Sequence, residues 1–358
     1  MTSTFKIAVF QGDGIGPEIM GPTVDLLRAL AMNSAYTFEF QDLPAGAEHY
    51  AKTGESLPQA SMDGARAADA VLLSAMGLPN IRYPDGTEIA PQIDLRKALT
   101  LYAGVRPVTI RPGQPTPLAT DRPVDFVLIR ESTEGLFYTQ GRGEVEADEA
   151  RETLRITREI SEPLFRFAFG LARARKASGQ GPGKVTCVDK ANVFRAFAFF
   201  RGLFDAEAAK HPEIEADHAY VDATALWMVE RPWSFDVMVT ENMFGDILSD
   251  LGAGLMGGLG LAPSADIGAD HAVFQPCHGS APDIAGQGVA NPIAMILSGA
   301  MMLEWLAERH DVPAMAADAA RLRDAVDTVV SEGRVRTRDL GGSAGTDDVA
   351  QAVREALA

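Results

Sequence analysis

The chain has 358 residues, 46% apolar and 23% charged, which is enough for two domains around a large core and lacks the polar bias of disorder. Its formal charge of -17 excludes the broad basic surface that nucleic acid or an anionic membrane requires, so any positive charge that matters must be local. The two cysteines, Cys187 and Cys277, have neither metal-ligand spacing nor a disulfide framework, which fits a reducing cytoplasm.

Met1 to Val9 carries one lysine and leads straight into a strand, with no long apolar signal region. Lys6–Phe10 reads as that strand, ending in the turn Gly12-Asp13-Gly14-Ile15-Gly16-Pro17-Glu18, after which Ile19–Leu30 has helical periodicity. A strand at Tyr36–Gln41, a helix at Met62–Ala68 and a strand at Ala70–Ser74 continue the alternation and imply an α/β sheet with helices on its faces. Further strands are expected at Ala103–Ile110, Asp125–Arg130, Val185–Asp189, Ala219–Asp222 and Val237–Thr240. Helices are expected at Glu149–Ala177, Val193–Ala209 and Ala223–Glu230. Gly252 to Gly260 is glycine-rich and places a domain crossover. The longest mostly apolar tract, Pro292–Leu303, is too short to span a bilayer. The turn at 12–16 has the spacing G-x-G-x-G, without the third glycine of the dinucleotide fingerprint, and a tight turn into a helix explains it as well.

Two features carry chemistry. In Glu241-Asn242-Met243-Phe244-Gly245-Asp246-Ile247-Leu248-Ser249-Asp250, Asp246 and Asp250 lie four apart on one helical face. Paired carboxylates repel unless a cation lies between them, and oxygen ligands favour Mg²⁺ or Mn²⁺. An exposed acidic helix face gives the same spacing. The second feature is Arg96, Arg106 and Arg130, of which the last two sit at the ends or edges of apolar strands, where a guanidinium has to find an anion. A di- or tricarboxylate substrate would use several together, whereas structural ion pairs would use each singly.

With Val188-Asp189-Lys190-Ala191-Asn192-Val193, the 241–250 stretch, and His278-Gly279-Ser280-Ala281-Pro282-Asp283-Ile284-Ala285-Gly286, the chain resembles the metal-dependent β-decarboxylating dehydrogenases. That family contains the isopropylmalate, isocitrate, homoisocitrate, tartrate and D-malate dehydrogenases. The resemblance runs from Gly12 to Thr346. It implies the two-domain isopropylmalate dehydrogenase-like fold, a large mixed sheet flanked by helices and not a true Rossmann fold. The first domain would comprise 1–101 with 257–358, the second 102–256, and Phe137–Glu146 could supply an intersubunit clasp. It further implies that Arg96, Arg106 and Arg130 hold substrate carboxylates. Asp246 and Asp250 would bind the metal with Asp222 of the neighbouring subunit, from which Lys190 also reaches the site, so the catalytic unit would be a homodimer. A divalent ion would lower the pKa of the substrate's C2 hydroxyl while a neutral Lys190 helps remove its proton; hydride leaves for the nicotinamide, and CO₂ is then lost.

Cofactor choice follows from Asp283, which matches the aspartate on the adenosine ribose and would repel a 2′-phosphate, giving NAD⁺. His278 and Asn291 match adenine-side contacts, Gly279 with Ser280 would let the backbone approach the nucleotide closely, and Ala281 and Ile284 complete the implied cofactor-binding set; His278 alone could equally be structural. The chain departs from the family pattern at two places. Phe137 stands where a proton-donating tyrosine is expected, so either Tyr138 or water is the acid, or oxidation outruns decarboxylation. Gln92 and Ile93 stand where isopropyl-recognising members carry leucines. An apolar substituent against Gln92 would leave its amide unpaired, favouring a small or polar C3 substituent, or none, unless Gln92 faces solvent. Oxidation without decarboxylation, and a regulatory subunit, stay as alternatives; the presence of Asp222, Asp246, Asp250 and Lys190 weighs against the second.

Overall fold

The computed structural model describes residues 3–32 and 34–358; Met1 and Thr2, at the head of the expected lead-in, and Asn33 lie outside the described residues. In chain order the elements are β1 (Ser3–Phe10), α1 (Gly16–Ala31), β2 (Tyr36–Asp42), α2 (Ala47–Thr53), α3 (Gln59–Ala67), β3 (Ala70–Leu73), α4 (Pro91–Ala98), β4 (Ala103–Ile110) and β5 (Val124–Glu131). They continue as β6 (Glu144–Val145), β7 (Ala150–Arg151), α5 (Arg158–Ser178), β8 (Lys184–Asp189), α6 (Arg195–Ala208), β9 (Glu215–Tyr220), α7 (Val221–Glu230) and β10 (Val237–Thr240). The last are α8 (Asn242–Leu255), β11 (Pro263–Ile267), β12 (Ala272–Pro276), α9 (Ile293–His310), α10 (Pro313–Glu332) and α11 (Thr346–Leu357).

Ten strands form one sheet in the order β2-β1-β3-β12-β11-β4-β5-β10-β8-β9. β2, β1, β3 and β12 are parallel, as are β5, β10, β8 and β9. β11 and β4 join the two blocks through antiparallel pairs, so the blocks run in opposite directions. A Rossmann sheet is parallel through its nucleotide-binding halves; this sheet is mixed, as expected. α9 is apolar nearly all round and accordingly buried, packed on β11 and β12 beneath α10. Among the described residues no helix is long and apolar enough to cross a membrane.

Several expected boundaries shift, each for a local reason. The helix expected from Glu149 begins at Arg158, because Ala150–Arg151 pairs with Glu144–Val145 and Thr157 is the N-cap, its backbone N donating to Glu134 Oε2 at 2.8 Å. The strand expected at 219–222 is β9, one turn earlier, which puts Asp222 in the first turn of α7. β11 and β12 were not expected: β11 carries Pro263, Ser264 and Asp266, and β12 is a short strand buried throughout, so neither shows polar–apolar alternation. Their insertion is what the glycine-rich stretch after α8 serves, as the chain passes from Met256 through Gly257 and Gly258 into the middle of the sheet.

Candidate active site

Strand register builds the centre of the site. Gly104 on β4 lies opposite Asp266 on β11 and opposite Arg130 on β5, forming one row across three strands. Arg106, two residues on, shares the face of Gly104. A side chain at 104 would obstruct the row, since its Cβ would lie 2.5 Å from Ser132 Oγ and 3.0 Å from Asp266 Oδ1. Across the gap, the fully buried Asp266 accepts from Arg96 Nε at 2.9 Å, Arg106 Nη2 at 3.1 Å and Ser132 Oγ at 3.2 Å. Burial alone would raise its pKa, but Arg96, Arg106 and Arg130 hold it far below the usual carboxylate range. One buried carboxylate thus lies among three cations, paired directly with Arg96 and Arg106. Burial, followed by the charge of Arg96, pushes Arg130 down to about 10, although Asp246 and Asp266 act in the opposite direction.

Helix α8 supplies the opposite sign. Its N-cap Glu241 accepts from Phe244 N at 2.7 Å and Met243 N at 3.1 Å, and Asn242 Oδ1 accepts from Arg130 Nε at 2.9 Å and Nη2 at 2.7 Å. Asp246 pairs with Arg130 Nη1. Gly245 lets the helix lie directly on Arg130: a Cβ there would stand 2.6 Å from Arg130 Cγ. Gly245→Ala is expected to cost about 1–3 kcal/mol through overpacking and to displace the guanidinium, read as a lower Tm together with weaker dicarboxylate binding.

These groups line a cleft of about 500 Å³ with Gln92, Phe137, Asp250 and His278. It opens past the C-terminal ends of β3 and β12, where parallel pairing gives way to antiparallel. Asp250 is raised by burial and by Asp246, so Asp246 and Asp250 are two hard oxygen donors beside each other. Asp222 is not with them. Among the described residues no cluster of three or more His, Cys, Asp or Glu within the one chain could hold a metal. Asp222 instead accepts from Lys190 Nζ at 2.5 Å, which holds its carboxyl low, and neither residue lines the cleft.

Tyr138, a candidate proton donor, lies outside the cleft lining in the 3₁₀ turn Leu136–Thr139, its ring flanked by the guanidinium carbons of Arg155 at 3.8 Å and Arg142 at 4.8 Å. Two cationic partners hold it there, while the neighbouring Phe137 turns inward, 5.3 Å from Arg130 Cζ.

A second pocket of about 410 Å³ shares His278 and Gly279 with the cleft and is also lined by Ile15, Ala281, Ile284, Asn291 and Asp339. His278 Nδ1 lies 2.9 Å from Gly279 O, burial lowers the pKa of the ring, and Nε2 is buried without a partner. Ser280 faces away, donating to Gly77 O, and Asp283 is exposed just outside the lining. The glycine turn at 12–16 is occupied by protein: Ile15 N donates to Ser280 O at 2.9 Å, and Asp13 accepts from Ala47 N and Gly77 N at 2.8 Å each. Its role is to fasten the 278–286 loop and α2.

Asp266, Asn242 and Asp339 escaped the sequence reading. A lone Asp in a mostly apolar segment was the available signal for Asp266, the same signal that marked the arginines, but its strand was unrecognised. Glu131, next to Arg130, is buried and raised to about 7 by desolvation, although it accepts from Thr133 N at 2.5 Å and Glu134 N at 2.9 Å. A raised folded pKa gives a contribution that is complete below the ordinary value of 4.5 and is lost as pH passes about 7. Wild-type stability is therefore expected to fall from pH 5 to 8 relative to Glu131→Gln, by roughly 3 kcal/mol at most, read from pH-dependent melting.

The molecule is thus an α/β protein with a cleft lined by arginines and paired carboxylates, joined to a second, more apolar pocket. Residues 6–353 match the family described as Isocitrate/isopropylmalate dehydrogenase. Over 356 residues the chain is 42% identical to the 3-isopropylmalate/3-methylmalate dehydrogenase of Methanocaldococcus jannaschii, covering 98% of this chain and 99% of that protein. It is also 42% identical over 352 residues to the homoisocitrate dehydrogenase of the same organism, covering 96% and 95%. The crystal structure of isocitrate dehydrogenase from Methylococcus capsulatus superposes with a TM-score of 0.85 at 39% identity, covering 99% of both chains. The chain belongs to the isocitrate/isopropylmalate dehydrogenase family, and is an oxidoreductase of that family of β-decarboxylating dehydrogenases.

Proposed function

We propose that this protein is a cytoplasmic, NAD-dependent dehydrogenase that oxidises and decarboxylates a D-malate-type 2-hydroxy acid with Mg²⁺ or Mn²⁺. The observation that carries this reading is the meeting in one cleft of Arg96 and Arg106, paired with Asp266, and Arg130, paired with Asp246, beside Asp250. The guanidinium groups bind the substrate carboxylates, displacing Asp246 from Arg130. Asp246 and Asp250, completed by Asp222 of a second copy, fit a hard divalent ion by their all-oxygen chemistry. When bound, that ion would supply Lewis-acid polarisation of the substrate's oxygen atoms. Lys190 of the second copy takes the C2 hydroxyl proton.

A homodimer suits the surface. Val193 and Phe194 before α6, Leu226 and Val229 on α7 and Ile247 on α8 are large apolar side chains exposed on the elements that flank Lys190 and Asp222. The β6–β7 ribbon, with Val145 81% exposed, would act as the clasp. The two domains, 1–101 with 257–358 and 102–256, would close on the cleft between them. NAD would occupy the pocket of His278, Gly279, Ala281, Ile284 and Asn291, with Ser280 shaping its floor and Asp283 at the rim rejecting a 2′-phosphate.

With Tyr138 turned away, water supplies the proton at C3. Phe137 in the cleft also favours a second reading, oxidation without decarboxylation. The decisive experiment follows NADH and CO₂ together for D-malate, tartrates, 3-isopropylmalate, 3-methylmalate and isocitrate, with NAD⁺ or NADP⁺ and Mn²⁺. Equal CO₂ and NADH with NAD⁺ preferred is the expected result. NADH without CO₂ selects the second reading, and turnover with NADP⁺ alone overturns the role of Asp283.

A further inference from the structure

Relatives of equal overall identity differ in the acid their names carry, so overall identity does not single out the substrate. Gln92 is a cleft residue able to do so. It opens α4 and lines the cleft with Glu88, Ile93 and Arg96, and its Oε1 is buried with no hydrogen-bond partner. It stands four residues before Arg96, hence on the same helical face and about 6 Å along the axis. A dicarboxylate held by Arg96 therefore brings the substituent on the carbon beside its carboxylate towards this amide.

We propose, on the reading of the cleft as a malate-type site, that Gln92 selects a substrate with a hydroxyl on C3, a 2,3-dihydroxy dicarboxylate. A hydroxyl both donates and accepts, so it satisfies this end of the amide whichever way the amide is turned. An isopropyl group does neither and seals the amide unpaired. A carboxylate arm only accepts, and it would meet the carboxylate of Glu88 in the same wall.

The test compares kcat/KM for the tartrate stereoisomers and 3-isopropylmalate in wild type, Gln92→Leu and the unbranched Gln92→Met, with folding checked by melting and NAD binding. Wild type is expected to prefer one tartrate over 3-isopropylmalate by roughly 10- to 100-fold, and both variants to lose or invert that preference. Preference of wild type for 3-isopropylmalate, or a ratio unmoved in both variants, overturns the proposal. Calorimetric binding of the same acids and D-malate with Mn²⁺ separates the two levels of inference. D-malate bound with no gain from a 3-hydroxyl overturns the role of Gln92 alone, whereas no acid bound overturns the malate-type reading as well.

Discussion

Replacing Asp266 by asparagine is expected to lower Tm by roughly 5 °C, from a loss of about 3–5 kcal/mol, and to reduce kcat/KM by about 100-fold. The substitution is nearly isosteric, so the effect is electrostatic. It leaves Arg96, Arg106 and Arg130 buried together with no compensating carboxylate at their centre. Because the folded pKa of Asp266 is depressed, its stabilisation is complete above the ordinary carboxylate range and is lost as pH falls below it. The difference in Tm between wild type and variant should accordingly be constant near neutrality and shrink in acid. A bound dicarboxylate, by supplying the missing charge, should raise the Tm of the variant more than that of wild type. Equal stabilisation of both by the ligand would show that the arginines do not act as one anion site.

Replacing Lys190 by methionine is expected to lower kcat by about 10²–10⁴-fold with NAD binding largely kept, the range spanned by a lost general base. The sharper test is complementation, because Lys190 and Asp222 sit away from the cleft that holds Asp246. Lys190→Met and Asp246→Asn chains, each inactive, are mixed after dissociation and allowed to reassociate. A site shared between copies regains about a quarter of wild-type activity, since half the dimers are mixed and each carries one intact site. A site built from one chain regains none. Retained activity of Lys190→Met by itself would remove the residue from the chemistry.

Much of this was legible along the chain because it is encoded locally. β4 and β10 are apolar runs bounded by turn residues, and their ends lie where the pattern places them. The four-residue spacing of Asp246 and Asp250 needs nothing beyond helical geometry, and Glu241 as N-cap starts that helix. The departures at Phe137 and Gln92 are visible from residue type alone. Phe137 lines the cleft.

Other features depend on pairings between distant segments. Asp266 is adjacent to Arg130 through two strand registers with Gly104 between them, and no local periodicity specifies which strands neighbour β4. Tyr138 is turned outward by Arg142 and Arg155, a matter of side chains competing for one ring. Glycines 12 to 16 read as a tight turn from spacing, but what occupies that turn is Ser280, far along the chain. Residue type and spacing thus determine which groups can bind an anion or a cation. Whether they share a site rests on long-range strand order and on burial, which sets the strength of their charges by removing water from between them.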